Sequence, residues 1–142
     1  MTTTVPLVYW TGYNSLVLVS APFIKYWSTK ISDTPLQRIF PRRWLDTEGR
    51  RIREFWEAAL RAVLGLVIFR PGISQTEIRW RLRSTYDRQE VHDITKHLLT
   101  EGFLRVQIGI EHSVFQDAAT PLDDEEGRHA FYFIGNRRWY QV

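Results

Sequence analysis

Apolar residues recur at three- and four-residue steps over residues 50–69, which is the period of an amphipathic α-helix. Glu57 and Arg61 form an i,i+4 charge pair on the opposite face. Pro71 disfavours helical geometry at Arg70 and ends the element. The pattern therefore predicts a first helix over residues 50–69. Its apolar positions are Ile52, Phe55, Trp56, Ala59, Leu60, Val63, Leu64, Val67 and Ile68.

Two shorter helices are predicted next, and each opens with a capping box. Ser74 and Glu77 are the cap and box residues of helix two, and Asp87 and Glu90 are those of helix three. Gly102 ends helix three because glycine readily adopts the left-handed conformation at a helix end. The hydrophobic staples and expected buried positions are Ile73, Ile78, Leu82, Tyr86, Val91, Ile94, Leu98 and Leu99.

From residue 103 the apolar period changes to two, which predicts a strand. A second strand is predicted over 129–134, and the two would pair antiparallel as a wing. The acidic link over 111–128 is too long for a tight turn, and we expect it to be mobile. The expected inward face of the first strand carries Leu104, Val106, Ile108 and Ile110.

The chain before helix one is rich in β-branched and aromatic residues. Residues 5–10 and 15–20 flank a turn and predict a β-hairpin, which together with a short helix fills residues 1–27. Residues 28–49 contain two prolines and end in a glycine, so we predict an ordered connector there.

Three helices followed by a β-ribbon have the order of a winged-helix domain, in which two helices at a steep angle and a third behind them form a helix-turn-helix core. We therefore predict an α+β fold, a single extended winged-helix domain over 1–142 with an N-terminal β-hairpin extension. Residues 50–110 would hold the core and first wing strand, 111–128 the wing loop, and 129–142 the second strand and tail.

Patterns typical of enzymes and membrane proteins are missing from the sequence. It has no cysteine and no apolar stretch near the roughly 18 residues of a membrane span. It has no Gly-rich phosphate loop and no Gly-x-Ser-x-Gly elbow, and His92 and His97 are not spaced as two ligands on one helical face. We therefore predict no enzymatic activity, metal, cofactor, small-molecule substrate or membrane association.

Charge is distributed unevenly along the chain. The net charge is +3, yet residues 25–105 carry +6 and residues 111–126 carry six acids without a base. Nearly all the cations are arginine, whose planar fork suits phosphate and carboxylate. The arginine clusters are candidate phosphate contacts on DNA, and pairing with the acids of a partner subunit or simple solvation are the alternatives. The candidates are Arg42, Arg43, Arg50, Arg51, Arg53, Arg79, Arg81, Arg83, Arg88, Arg137 and Arg138.

The composition of helix three argues against its reading the major groove. A groove-reading helix presents Arg, Lys, Asn or Gln, whereas residues 87–101 carry four acids and two bases. Glu90 and Asp93 would face phosphates, so repulsion favours a protein-facing or solvent-facing helix. The expected exposed residues are Arg88, Gln89, Glu90, His92, Asp93, Lys96 and His97.

Large aromatic residues are numerous for so small a domain, with six Trp, six Tyr and eight Phe. Trp44, Phe55 and Trp56 occupy expected core positions. The others are candidate anchors of a protein interface, and burial by the hairpin and the chain end is the alternative. The candidate anchors are Trp10, Trp27, Trp80, Trp139 and Tyr140.

Four short motifs follow one another at a characteristic spacing. They are Trp44-Leu45-Asp46-Thr47-Glu48-Gly49, Arg70-Pro71-Gly72-Ile73, Gln89-Glu90-Val91 and Leu98-Leu99-Thr100-Glu101-Gly102-Phe103-Leu104-Arg105. In this order they resemble the C-terminal winged-helix region of the largest subunit of transcription factor IIIC. The resemblance covers residues 15–110 well and the remainder loosely.

The resemblance implies a piece of a very large nuclear protein, in which Met1 can be an expression start. That factor recognises internal promoters of RNA polymerase III genes, chiefly the B box of transfer-RNA genes, and recruits the initiation machinery. The implied partners are other subunits of the factor, with promoter DNA as a further partner. Two alternatives stay open: a winged helix that binds DNA directly through its arginines, and an unrelated winged-helix transcription regulator.

Overall fold

The computed structural model describes residues 6–15, 17–109 and 129–142. These residues form a mixed fold of helices and small antiparallel sheets, which confirms the predicted α+β class. Ile110 and the predicted wing loop over 111–128 lie outside the described residues. In the described ranges, no helix has the length and apolar character needed to cross a membrane.

The N-terminal hairpin predicted from the sequence is present. Strand β1 (Val8–Thr11) pairs antiparallel with β2 (Val17–Ser20), and the two strands begin three and two residues later than predicted. A short 3₁₀ helix, Ala21–Tyr26, follows where a short helix was expected. Proline lies in its first turn, where a backbone N–H would have no partner within the helix.

A second hairpin occupies part of the predicted connector, and the sequence prediction did not include it. Strands β3 (Thr29–Asp33) and β4 (Leu36–Ile39) pair antiparallel. Pro35 lies in the turn between them, where it removes no hydrogen bond from the ladder and therefore does not oppose pairing. The chain beyond β4 then runs without regular structure to the first α-helix.

Helix α1 (Arg53–Phe69) begins three residues later than predicted because Arg51 forms a β-bridge with Leu45. Phe55 and Ile68 were expected in the core, but they are 55% and 38% exposed. They flank the buried stripe, which is narrower than the run of apolar residues in the sequence. The buried residues of α1 are Trp56, Ala59, Leu60, Val63, Leu64 and Val67.

Helix α2 (Gln75–Leu82) has half of its predicted capping box. The Ser74 hydroxyl accepts a hydrogen bond from the backbone N–H of Glu77 at 3.2 Å. The Glu77 carboxylate does not return to the cap; it pairs instead with the guanidinium groups of Arg70 and Arg81. Two nearby cations therefore hold the box residue on the surface of α2.

Helix α3 (Arg88–Thr100) has the complete box. The Asp87 carboxylate accepts from the N–H of Glu90 at 2.8 Å, and the Glu90 carboxylate accepts from the N–H of Asp87 at 3.1 Å. Gly102 follows the helix with φ of +78°, the left-handed value that the sequence predicted. Both ends of α3 are therefore determined by neighbouring residues that the sequence identifies, the capping box at the start and Gly102 at the end.

A three-stranded antiparallel sheet completes the second half of the chain. Strand β7 (His129–Ile134) lies between β5 (Ile73–Ser74) and β6 (Leu104–Gly109), so the predicted pairing of the last two strands is confirmed. The expected inward face of β6 is buried only at its start. Val106 and Ile108 are 41% and 50% exposed, since the outer half of the ribbon extends past the helices.

The core lies between α1, α3 and the sheet. Val91, Ile94 and Leu98 on one side of α3 are completely buried and pack with the buried stripe of α1. Burying an aliphatic side chain of this size stabilises the fold by about 1.5–3 kcal/mol. This packing fixes the rotation of α3 about its axis and therefore determines which of its side chains remain accessible.

Candidate functional site

The acids of α3 do not point where the sequence interpretation placed them. Glu90 was expected at the surface but is only 5% exposed. Besides closing the capping box, its carboxylate accepts the backbone N–H of Arg43 from the connector at 2.6 Å. The exposed position predicted for Glu90 is wrong because two backbone donors hold its carboxylate inside the fold.

Asp93, one turn further on, is also engaged by the connector. Its carboxylate accepts from Nε of Arg42 at 2.6 Å, and the Arg42 side chain is only 13% exposed. Gln89 donates to the second carboxylate oxygen at 3.2 Å, and its own backbone N–H donates to the carbonyl of Tyr13 at 3.1 Å. The connector and the β1–β2 turn therefore cover the acidic side of α3.

A strip of basic and amide side chains remains on the outer side of α3. At 3.6 residues per turn, positions 88, 89, 92 and 96 lie on the side of α3 away from the buried Glu90, and Asp93 borders them, one turn from Gln89 and from Lys96. Lys96 is exposed, and the other three side chains are half-buried. The predicted repulsion between α3 acids and phosphates is therefore reduced, because Glu90 is buried and Asp93 is paired with Arg42. The α3 strip is Arg88, Gln89, His92 and Lys96.

At least five of the predicted phosphate contacts pair with acids that lie in the described part of the chain. Nε of Arg50 lies 3.0 Å from the Asp46 carboxylate, and Nε of Arg53 lies 2.6 Å from that of Glu57. The pKa of Asp46 is lowered mainly by the backbone N–H of Arg50, and that of Glu57 mainly by the side chain of Arg53. Exposed pairs of this kind add little stability, but they reduce the positive charge offered to a partner. The five are Arg42, Arg50, Arg53, Arg81 and Arg137.

The other candidate arginines differ in their surroundings. Arg79 is half-buried on α2, and Arg88 begins α3. The remaining four form no ion pair with an acid in the described part of the chain. Among these, Arg51 lies over the Trp56 ring at 4.4 Å from its centroid. The four are Arg43, Arg51, Arg83 and Arg138.

Two of these four arginines line one cleft. The arginine cleft, as we call it, has a volume of about 430 Å³ and lies between residues 41–43 of the connector, residues 83–87 of the α2–α3 turn, and Tyr13 and Asn14 of the β1–β2 turn. The Arg43 guanidinium is 5.8 Å from the centroid of the Tyr86 ring. Burial raises the pKa of the Tyr86 phenol, so this ring is neutral at physiological pH.

Arg83 is held at the other side of the cleft by Trp80. Its guanidinium lies 4.1 Å from the centroid of the indole ring, and Nη1 donates to the Trp80 carbonyl at 2.5 Å. An aromatic face attracts a guanidinium without neutralising it. The two cleft arginines are therefore positioned by rings and keep their charge for a ligand.

The candidate interface anchors are mostly at the surface. Trp10, Trp80 and Tyr140 are about 60% exposed, and Trp139 is 47% exposed and meets Tyr140 edge-on at 5.8 Å. Trp27 is half-buried and lies 6.2 Å from the Tyr13 ring, so internal packing accounts for part of its surface. The binding role of all five residues stays a prediction.

Histidine does not assemble into a metal site in the described residues, where no group of three or more His, Asp or Glu side chains has the required proximity. His97 packs edge-on against Trp56 with ring centroids 4.9 Å apart. Burial lowers its pKa below the ordinary value. The acidic pairs within residues 123–126 lie outside the described residues.

Sequence reasoning missed the role of the connector, which covers one side of α3. The available signal was the capping box itself, because a box residue must turn back toward its own helix start. Reasoning also missed Arg105, whose guanidinium lies over the Phe133 ring at 5.5 Å on the ribbon. That contact depends on the pairing register of β6 and β7, which the sequence does not specify because residues 111–128 separate the two strands.

Comparison with known proteins gives two matches. Residues 12–79 match a family of unknown function, DUF6581. In an alignment of 108 positions that covers 70% of the chain, the sequence is 27% identical to the transcription factor tau 138 kDa subunit of Saccharomyces cerevisiae. The chain spans only 9% of the length of that yeast protein. No solved structure matches the chain.

Proposed function

We propose that this chain is a non-enzymatic winged-helix domain of the largest subunit of a nuclear transcription factor IIIC. In this proposal the domain acts in assembly of the factor and in its recognition of the B box in RNA polymerase III promoters. The observation that carries the proposal is the similarity to the tau 138 kDa subunit over 70% of the chain. The winged-helix assignment is supported by the order α1, β5, α2, α3, β6, β7 with β7 central in the sheet.

The assembly role is supported by aromatic side chains that the fold leaves uncovered. Trp80 on α2 and Trp139 near the chain end both expose large ring surfaces. Tryptophan is enriched among the few residues that carry most of the binding energy at protein interfaces. Partners supplied by the other subunits of the factor would bury these rings.

Affinity capture with the tagged chain tests the assembly role. The wild-type chain should retain subunits of transcription factor IIIC that mass spectrometry identifies. Trp80→Ala and Trp139→Ala should each lower the recovered amount about tenfold, since removal of an anchor costs about 1.4 kcal/mol or more.

Gln107→Ala is the control, because Gln107 is an exposed polar residue of β6 and outside the candidate anchors. Its recovery should equal that of wild type. If the folded wild-type chain retains no subunit of the factor, the assembly role is refuted. Unchanged recovery with both tryptophan variants would remove these residues as anchors.

A second candidate function is direct binding to duplex DNA through the α3 strip. The observation that favours it is the engagement of Glu90 and Asp93 by the connector, which leaves basic and amide side chains on the outer side of α3. Arg, Lys and Gln are the residue types that contact base edges and phosphates in the major groove.

Salt dependence of duplex binding tests this second candidate. Affinity should fall linearly with salt on a log–log plot, and Lys96→Glu should reduce the slope by about 0.9, the value for one phosphate that the protein no longer neutralises. Arg61→Glu, on the exposed face of α1, changes net charge equally and should leave the slope nearly unchanged. A duplex that does not bind at low salt would eliminate this function.

A further inference from the structure

We propose that the arginine cleft binds an acidic peptide segment of a partner protein, and that Arg43 and Arg83 are its carboxylate-binding residues. The proposal rests on the assembly role proposed above and specifies the chemistry of one partner contact. The cleft volume of about 430 Å³ lies within the range of ordinary ligand sites.

The charge of the cleft is available because aromatic rings position its two outer cations. Arg43 lies over Tyr86 and Arg83 over Trp80, and neither guanidinium pairs with an acid in the described ranges. A planar guanidinium binds a carboxylate through two parallel hydrogen bonds. Arginines that are already ordered lose less conformational entropy when they bind.

The acids that line the cleft do not occupy these arginines. Asp87 accepts the N–H of Glu90 at 2.8 Å, while the two oxygens of Glu90 accept the N–H groups of Asp87 and Arg43 at 3.1 and 2.6 Å. Arg42, the third arginine of the lining, is paired with Asp93 outside the cleft. Both carboxylates keep their negative charge, but their oxygens accept from backbone donors, so Arg43 and Arg83 have no carboxylate partner in the described residues and can bind one from a ligand.

The shape of the site and its neighbours favour a peptide over a nucleic acid. A duplex carries its phosphates on a broad convex surface, whereas Arg43 and Arg83 line a concave site. An extended peptide can place an acidic side chain inside it, as in the recognition of acidic motifs by arginine clusters. Trp80, which is 60% exposed beside Arg83, offers a flat apolar surface for a neighbouring side chain of the peptide.

Binding of a fluorescein-labelled peptide of alternating glutamate and leucine, followed by fluorescence anisotropy, tests the proposal. Wild type should bind it, and a peptide with glutamine at every glutamate should not compete. Arg43→Glu and Arg83→Glu should each weaken binding at least about tenfold, as expected for removal of a charge-assisted hydrogen bond. Arg43→Lys and Arg83→Lys should fall between wild type and the glutamate variants, because lysine retains the charge but not the fork.

Arg105→Glu is the control for non-specific electrostatics. Arg105 also lies over an aromatic ring, but it is outside the cleft, so its variant should bind the peptide as wild type does. The backbone N–H that Arg43 donates to Glu90 survives any side-chain change, and circular dichroism checks that each variant is folded. Equal weakening by Arg105→Glu would overturn the proposal.

Two further outcomes would also overturn it. One is absence of peptide binding by the folded wild-type chain. The other is that the chain binds a labelled DNA duplex but not the peptide, and that Arg43→Glu and Arg83→Glu abolish the duplex binding. The affinity-capture experiment separates this proposal from the assembly role. If the Arg43→Glu, Arg83→Glu double variant recovers as much of the factor subunits as wild type does, the binding role of the cleft is refuted and the assembly role is not. Peptide binding without capture of any subunit refutes assembly alone.

Discussion

Replacing Glu90 with alanine should destabilise the fold far more than its place in an acidic helix suggests. Glu90 is 5% exposed and receives two backbone hydrogen bonds, one from Asp87 at the start of α3 and one from Arg43 in the connector. The variant removes the acceptor for both donors. It therefore disrupts the start of α3 and its attachment to the connector together.

The magnitude follows from these two bonds. A hydrogen bond to a charged group contributes about 1.5–3 kcal/mol. Arg43 is exposed and Asp87 is half-buried, so water can reach the abandoned N–H groups and the cost falls near the lower end of that range. We expect Glu90→Ala to lower the free energy of unfolding by about 2–3 kcal/mol.

Urea denaturation followed by circular dichroism measures this difference. Glu77→Ala is the matched control, because Glu77 has the same position after the cap of α2 but its carboxylate forms only surface ion pairs with Arg70 and Arg81. That variant should cost about 1 kcal/mol or less. Equal costs for the two variants, or a cost below about 0.5 kcal/mol for Glu90→Ala, would refute the reasoning.

Three further perturbations test other parts of the fold. Leu64→Ala, at a core position 2% exposed, should lower the free energy of unfolding by about 2–5 kcal/mol in urea denaturation, and a cost below about 0.5 kcal/mol would exclude Leu64 from the core. Burial lowers the pKa of His97 in the folded state, so its contribution to stability is present above about pH 6.5 and is lost as pH falls through the folded pKa. His97→Gln should therefore flatten the fall in unfolding free energy between about pH 7.5 and 5.5. A pH profile identical to that of wild type would contradict this. Gly102→Ala should cost about 1 kcal/mol, measured by thermal unfolding, because φ of +78° is strained for alanine, and a neutral effect would argue against this helix end.

The elements of the second half of the chain could be predicted because their determinants are local. The apolar period of α1, the cap at Asp87 and the glycine at position 102 each act within a few residues of the structure that they specify. The change of period from helical to alternating likewise identified β6. Such patterns predict the type of an element without reference to its neighbours.

The determinants of exposure are not local, and there the predictions were wrong. Phe55 fits the apolar period of α1 but lies beyond the face that α3 and the sheet cover. Val106 fits the alternating apolar pattern of β6, yet its side chain is 41% exposed. The apolar period of the sequence predicts neither exposure, because the burial of a side chain depends on which surface the neighbouring elements cover.

Which surfaces are available to a partner depends on pairings across more than forty positions of sequence. Arg42 pairs with Asp93, and the backbone of Arg43 pairs with Glu90. Counting the charges of residues 87–101 gave α3 an acidic character that its exposed strip lacks. The arginine count likewise overstated the positive surface, since Arg50 and Arg53 are engaged by Asp46 and Glu57.

The same connector contacts influence both candidate surfaces. The backbone of Arg43 holds Glu90 inside the fold and the Arg42 side chain pairs with Asp93, so both contacts reduce the negative charge beside the α3 strip. The bond from the Arg43 backbone to Glu90 also places the Arg43 side chain beside the cleft, across from Arg83. A substitution at Glu90 should therefore affect stability, the cleft and the charge of α3 together, whereas a side-chain change at Arg43 leaves the backbone contact intact and isolates the cleft.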